Sequence, residues 1–204
     1  MYRDRPVRRV GQLLVGLVLF GLAAAILLRG GLGLDPWNVL GQGLSRTVGL
    51  TLGTTTLLLS FVVLALWIPL RQLPGLGTLA NALIIGPTID LGLRILPTAV
   101  GLWQQIAFVV VSIPLTAVAS GLYVGAGLGP GPRDGLMTGL NRRFGVPIYA
   151  ARFSIEAAVL LIGWLLGGTV GLATLAFAAA IGPLVHLALR RLAVPPLGDR
   201  PRPR

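Results

Sequence analysis

The chain has 204 residues, 54% of them hydrophobic and 11% charged, with a mean hydropathy of +0.85. A soluble domain carries about 25% charged residues, so the composition excludes a soluble protein and assigns the whole length to one integral membrane domain. There is no Cys, which removes disulfides, thiolate metal sites and a Cys nucleophile; there is also no Lys, so the net charge of +11 rests on Arg alone.

In chain order, the first nine residues form a basic tail with Arg3, Arg5, Arg8 and Arg9. A crossing takes about 20 apolar residues. Six segments meet that length: Val10–Leu28, Thr51–Leu70, Gly75–Leu96, Ile106–Val124, Pro147–Leu166 and Val170–Leu192. Residues 193–204 form a Pro- and Arg-rich tail expected to be disordered. Arg residues beside spans fix orientation and meet anionic lipid headgroups; this reading is preferred to nucleic-acid binding. Arg8-Arg9 before an apolar run also resembles a secretory signal. Val10–Leu28 is long for one and has an internal counterpart at Ile106–Val124, so it is read as a retained span.

Between the first and second segments lies Gly31–Leu44, GLGLDPWNVLGQGL, and it returns as Gly127–Leu140, GLGPGPRDGLMTGL. Sliding the chain by 96 positions aligns Pro36 with Pro132, Gly49 with Gly145, Thr78-Leu79-Ala80 with Thr174-Leu175-Ala176, Ile85-Gly86-Pro87 with Ile181-Gly182-Pro183, and Arg94 with Arg190, without a gap. The chain is an internal duplication, with membrane repeats at 10–96 and 97–192.

Each repeat reads as span, half-helix, span, span. A half-helix that dips in and returns leaves three crossings per repeat, and an odd number inverts the second copy. Arg71, Arg133, Arg142, Arg143, Arg152 and both tails then fall inside, against Arg29, Arg46 and Arg94 outside. That satisfies the positive-inside rule with both termini cytoplasmic. The rival is full crossing by both half-helices, which makes the copies parallel. Pro36–Val48 spans about 19 Å as a helix, short of the ~30 Å hydrocarbon core, which favours re-entry. The expected fold is an all-α membrane protein: six transmembrane helices as two inverted three-helix repeats, each with a re-entrant half-helix.

The half-helix starts are the first candidate site. Asp35 reads as an N-cap with Pro36 at the first helical position; the second copy keeps Pro132 but has Gly131 for Asp35. Trp37 and Asn38 pair with Arg133 and Asp134. Two helix starts meeting near the midplane form a transporter-like ion or substrate site. Equally, Asn38 and Asp134 can cap their own helices and Arg133 can face the cytoplasm. Glu156 lies mid-span, where a charge costs about 2.5–3.5 kcal/mol on insertion scales. Arg152 is one turn earlier, on the same face. Glu156 either carries a proton or cation, or ties Arg152 and a neighbouring helix; its repeat partner is Ser60. Gly86-Pro87 and Gly182-Pro183 suggest paired hinges, or two packing kinks. Asp90 and His186 are repeat partners near helix ends, read as interfacial; His186 is the sole His, so no His metal cluster exists.

Gly31–Leu40, Gly129–Leu140, the Arg152/Glu156 span and Thr174–Val185 together resemble the YczE/YyaS/YitT group of bacterial membrane proteins, nearest the YczE branch. The resemblance implies a multi-span protein of the bacterial plasma membrane and supplies no functional residues. No nucleophile elbow, P-loop, zinc helix or nucleotide fingerprint is present, so no enzyme activity and no cofactor are expected. The first functional reading is a small secondary transporter or permease for a small molecule or ion, with its site between the half-helices. The alternative is a non-transporting membrane partner that assists or regulates another protein. A homo-oligomer or a protein partner fits either.

Overall fold

A computed structural model describes residues 6–194. The described residues are all-helical, in eight helices: α1 Pro6–Gly30, α2 Pro36–Val48, α3 Leu52–Ala65, α4 Leu76–Ile95, α5 Leu102–Gly125, α6 Pro132–Phe144, α7 Ile148–Leu165 and α8 Leu172–Leu192. Each start in the first four recurs 96 residues later in the second four. The basic residues Arg3, Arg5, Arg200, Arg202 and Arg204 lie outside the described residues, as does the tail from residue 195 on. Ala193 and Val194 are described, and the Val194 N–H donates to the Gly125 carbonyl at 2.9 Å.

Five helices, α1, α4, α5, α7 and α8, are long and apolar enough to cross a membrane. A sixth span exists only if α2 and α3, bent 112° from one another, are counted as one broken span. The expected single span Thr51–Leu70 is therefore corrected: α3 ends at Ala65, and Leu66–Arg71 is a chain of turns. Pro69 explains the break. It has no N–H to reach back to Ala65, and Trp67, Ile68 and Arg71 instead bond three residues back, to Leu64, Ala65 and Ile68.

The short helices have defined ends. Asp35 caps α2 by accepting the Asn38 N–H at 3.3 Å, and Pro36 follows at the first position. Gly131 at the start of α6 supplies no capping side chain. Both helices stop at a left-handed glycine, Gly49 (φ 71°) and Gly145 (φ 70°), whose N–H groups return to Ser45 and Asn141. For α3, Thr51 is the cap, accepting the Thr54 N–H at 3.1 Å, and Thr55 bonds back to the Thr51 carbonyl.

The core forms where α1 packs on α4 and α5, with Leu13, Leu17, Ile85 and Ile89 buried together. Polar side chains tie α1 to its neighbours' ends. Arg9 donates to the Ala126 carbonyl at 2.8 Å, and Gln12 to the Leu122 and Leu192 carbonyls at 3.1 and 2.8 Å. At the other end of α1, Gly30 sits against Gln105 and Phe108, so α1 and α5 run antiparallel.

The two halves exchange equivalent contacts. The Gly77 N–H donates to Leu128 O at 2.8 Å, and the Ala173 N–H donates to Leu32 O at 2.9 Å. Each half's glycine loop is thus docked on the last helix of the other half. Only glycine fits the turn in either loop: Gly33 (φ 118°) lies against Gly171, and Gly129 (φ 125°) against Gly75. The crossing extends to the short helices, with α2 packed on α7 and α6 packed on α3.

Candidate functional site

The docked loops bring the starts of α2 and α6 together, and a cavity of about 530 Å³ opens beside them. Asp35 and Trp37 reach it from α2, and Arg133 and Asp134 from α6. One wall is α7, with Arg152 and Glu156; the opposite wall is the apolar face of α8, from Phe177 to Leu189. The back is the polar stripe of α5, Thr116 and Ser120, completed by Tyr123.

Charged groups in the site are cross-linked. Arg133 Nη1 lies 3.8 Å from Asp35 Oδ1, and the guanidinium sits 4.9 Å from the centroid of the Trp37 ring. That distance is in cation–π range. Tyr123 donates its hydroxyl to Asp134 Oδ2 at 3.1 Å, and its ring meets Phe20 edge-on at 6.0 Å. Arg152 Nε donates to Glu156 Oε1 at 3.0 Å, the one-turn pair expected from the spacing. Both side chains of that pair remain partly accessible, 50% and 32%, because the space between α7 and α8 is open. Two guanidinium groups and three carboxylates therefore face one cavity, with hydroxyls between them and an apolar wall opposite. This lining can hydrogen-bond a small polar solute on one side and contact an apolar portion on the other.

Of the residues singled out from sequence, Asp35, Trp37, Arg133, Asp134, Arg152 and Glu156 share this cavity. Asn38 does not line it. Its backbone N–H and its side-chain amide both donate to the Asp35 carboxylate. Gly182 lines the cavity from α8, whereas Gly86 is packed against Gly53 and Leu57. Pro87 and Pro183 lie inside α4 and α8 without reaching the site. Asp90 has a capping role that sequence reasoning missed: it accepts from Thr51 Oγ1 at 2.5 Å and the Gly53 N–H at 2.8 Å, fixing the start of α3. Tyr123, Ser120 and Thr116 were also missed. Their signal is the four-residue spacing of Ser112, Thr116 and Ser120 along one buried face of an otherwise apolar helix.

A family model, the family of unknown function DUF6198, matches residues 7–190. An uncharacterized protein of Haemophilus influenzae is 37% identical over 91% of this chain and 85% of its own length. The uncharacterized membrane protein YczE of Bacillus subtilis is 29% identical over 85% of this chain and 82% of its own. The uncharacterized protein YyaS of the same organism is 26% identical over 85% of this chain and 88% of its own. No solved structure matches the chain. The apolar spans and this kinship together make the chain a membrane protein of the YczE/YyaS type, a member of the DUF6198 family.

Proposed function

We propose that the protein is a small secondary transporter or permease of the bacterial plasma membrane, with both termini cytoplasmic. Its solute would bind between the starts of two re-entrant half-helices, α2 and α6, contributed by inverted repeats. The reading is carried by the convergence of Asp35, Trp37, Arg133 and Asp134 from those two starts on the cavity that also holds the Arg152–Glu156 pair. Inversion is supported by the antiparallel course of α1 and α5 and by the paired bonds Gly77 to Leu128 and Ala173 to Leu32. Re-entry is supported by the length of α2 and α6, about 20 Å each at 13 residues.

Glu156 is the coupling or selectivity carboxylate in this proposal. Among the described residues its only ion-pair partner is Arg152 on the same helix, and it faces the cavity. A carboxylate in that position can exchange Arg152 for a proton or a bound cation when the solute arrives. The test is flux into proteoliposomes with an imposed proton or Na⁺ gradient, using labelled amino acids, organic acids and small amines. Uptake by the wild type that is lost in Glu156→Gln supports the proposal. Absence of uptake in every class, with folded protein, would leave the alternative of a non-transporting partner. That alternative has one observation in its favour: α7 buries little beyond Ala151 and Gly163, leaving an apolar face uncovered by this chain.

A further inference from the structure

The two halves carry the same elements, yet their outer seams differ. α3 and α4 are closed on each other: Gly53 faces the Gly86 carbonyl, Gly86 faces Leu57, and Asp90 ties the start of α3. At the equivalent places in the second half, Tyr149 replaces Gly53, His186 replaces Asp90, and a Cβ at Gly182 would meet no other helix within 4 Å. α7 and α8 have no such seam and splay apart around the cavity.

A second, much smaller pocket of about 20 Å³ lies on the α3–α4 side. It is lined by Trp37, Thr56, Ser60, Asn81, Ile85 and Arg133, among others. Moved by 96 positions, these become Arg133, Arg152, Glu156, Phe177, Ile181 and, in reverse, Trp37, all of which line the large cavity. The small pocket is thus the repeat-equivalent of the open α7–α8 region. Trp37, Asn81, Ile85, Pro132 and Arg133 line both pockets, and among them the Arg133 guanidinium lies over the Trp37 ring.

We infer that the α3–α4 pocket is the second mouth of one pathway, shut in this structure, and that the Trp37–Arg133 stack is the barrier between the two mouths. Opening α3–α4 would require α7–α8 to close, with Gly182 facing Tyr149 where Gly86 now faces Gly53. Gly182 is the residue that allows this closure, because it is vacant of contacts in one state and crowded in the other. The inference rests on the reading of the cavity as a solute pathway, and the test separates the two.

Spin labels on the outer faces avoid the packed seams. Leu58 and Leu83 are exposed on α3 and α4, and Ser154 and Ala179 are their exposed equivalents on α7 and α8. In proteoliposomes the Leu58→Cys/Leu83→Cys pair should report a short main distance and a longer minor one. The Ser154→Cys/Ala179→Cys pair should report the reverse, with matching weights. Gly182→Leu fits the open space of this state and blocks the other, so it should abolish both minor distances. Thr56→Cys, a near-isosteric change lining the small pocket, should react with a water-soluble methanethiosulfonate, and about tenfold more slowly or worse with Gly182→Leu present. Single distances at both pairs together with an unreactive Thr56→Cys would overturn the inference, as would minor distances and reactivity that ignore Gly182→Leu. Switching distances without flux of any solute would uphold the exchange of the two seams and sink the transport reading; flux with fixed distances would uphold transport and sink the exchange.

Discussion

Arg133 at the start of α6 is bound to the start of α2 twice, by the carboxylate of Asp35 at 3.8 Å and by the ring of Trp37 at 4.9 Å. Asp35 is nearly buried, and among the described residues Arg133 is its only ion-pair partner. Arg133→Ala should cost about 2 kcal/mol, less than the ~3–5 kcal/mol of a fully buried pair because Arg133 keeps some exposure. Asp35→Asn keeps the cap and removes the charge. Combined, the two substitutions should cost less than their sum by roughly 1 kcal/mol. Reversible unfolding in mixed micelles measures this, and strict additivity would show that the contact carries no coupling.

A second relationship concerns size rather than charge. On one side the backbone of Val39 and Leu40 of α2 lies against Gly163 of α7; at the equivalent contact Gly135 of α6 receives the ring of Trp67. The contact is retained, but a glycine meets backbone in one half and an indole ring in the other. Gly135→Val alone should therefore clash with Trp67 and destabilise by about 1–3 kcal/mol. Trp67→Gly alone should leave a cavity costing about 3–5 kcal/mol. The double variant removes the ring that Gly135→Val would clash with and should be more stable than the sum of the two losses predicts. Thermal stability of all three proteins in detergent decides it.

Asp90 makes the start of α3 depend on α4. Asp90→Asn keeps the size but replaces one acceptor oxygen with an amide, so at least one of the bonds from Thr51 and the Gly53 N–H weakens. A loss of about 1–2 kcal/mol is expected, in the range of hydrogen bonds to a charged group. Amide exchange should rise at Gly53 and Thr54 and stay unchanged at the start of α7, where Pro147 stands in the cap position. Uniformly faster exchange would mean that Asp90 holds the whole fold, not one helix start.

Much of the architecture was legible in the chain. The 96-residue offset of Pro36/Pro132 and Gly49/Gly145 marks the first residue and the stop of both short helices, because Pro and left-handed Gly act locally. The one-turn spacing of Arg152 and Glu156 likewise foretold their pairing. Hydropathy misled at Thr51–Leu70, since Leu66–Leu70 is apolar enough to extend a span while Pro69 interrupts the bonding that a helix needs. Two roles depended on contacts between different helices that helical periodicity does not encode: Asp90 reaching Gly53, 37 residues away, and Tyr123 reaching Asp134, 11 residues away. The exchange of Gly53 for Tyr149 is visible at the 96-residue offset, but only packing shows that Gly53 lets α3 approach Gly86 of α4.

Loop glycines are poor reporters of sidedness here. A side chain at Gly33 or Gly129 would meet backbone across the docked loops in a strained left-handed conformation. Val48 and Phe144, the last residues of α2 and α6, are exposed and are repeat equivalents. The most direct test of two short helices entering from opposite faces to meet at one site is to label Val48→Cys and Phe144→Cys singly, in the otherwise Cys-free chain, with a membrane-impermeant maleimide. Val48→Cys should react in intact spheroplasts and Phe144→Cys only in inverted vesicles; labelling of both from the same side would contradict the inverted arrangement and the shared site built on it.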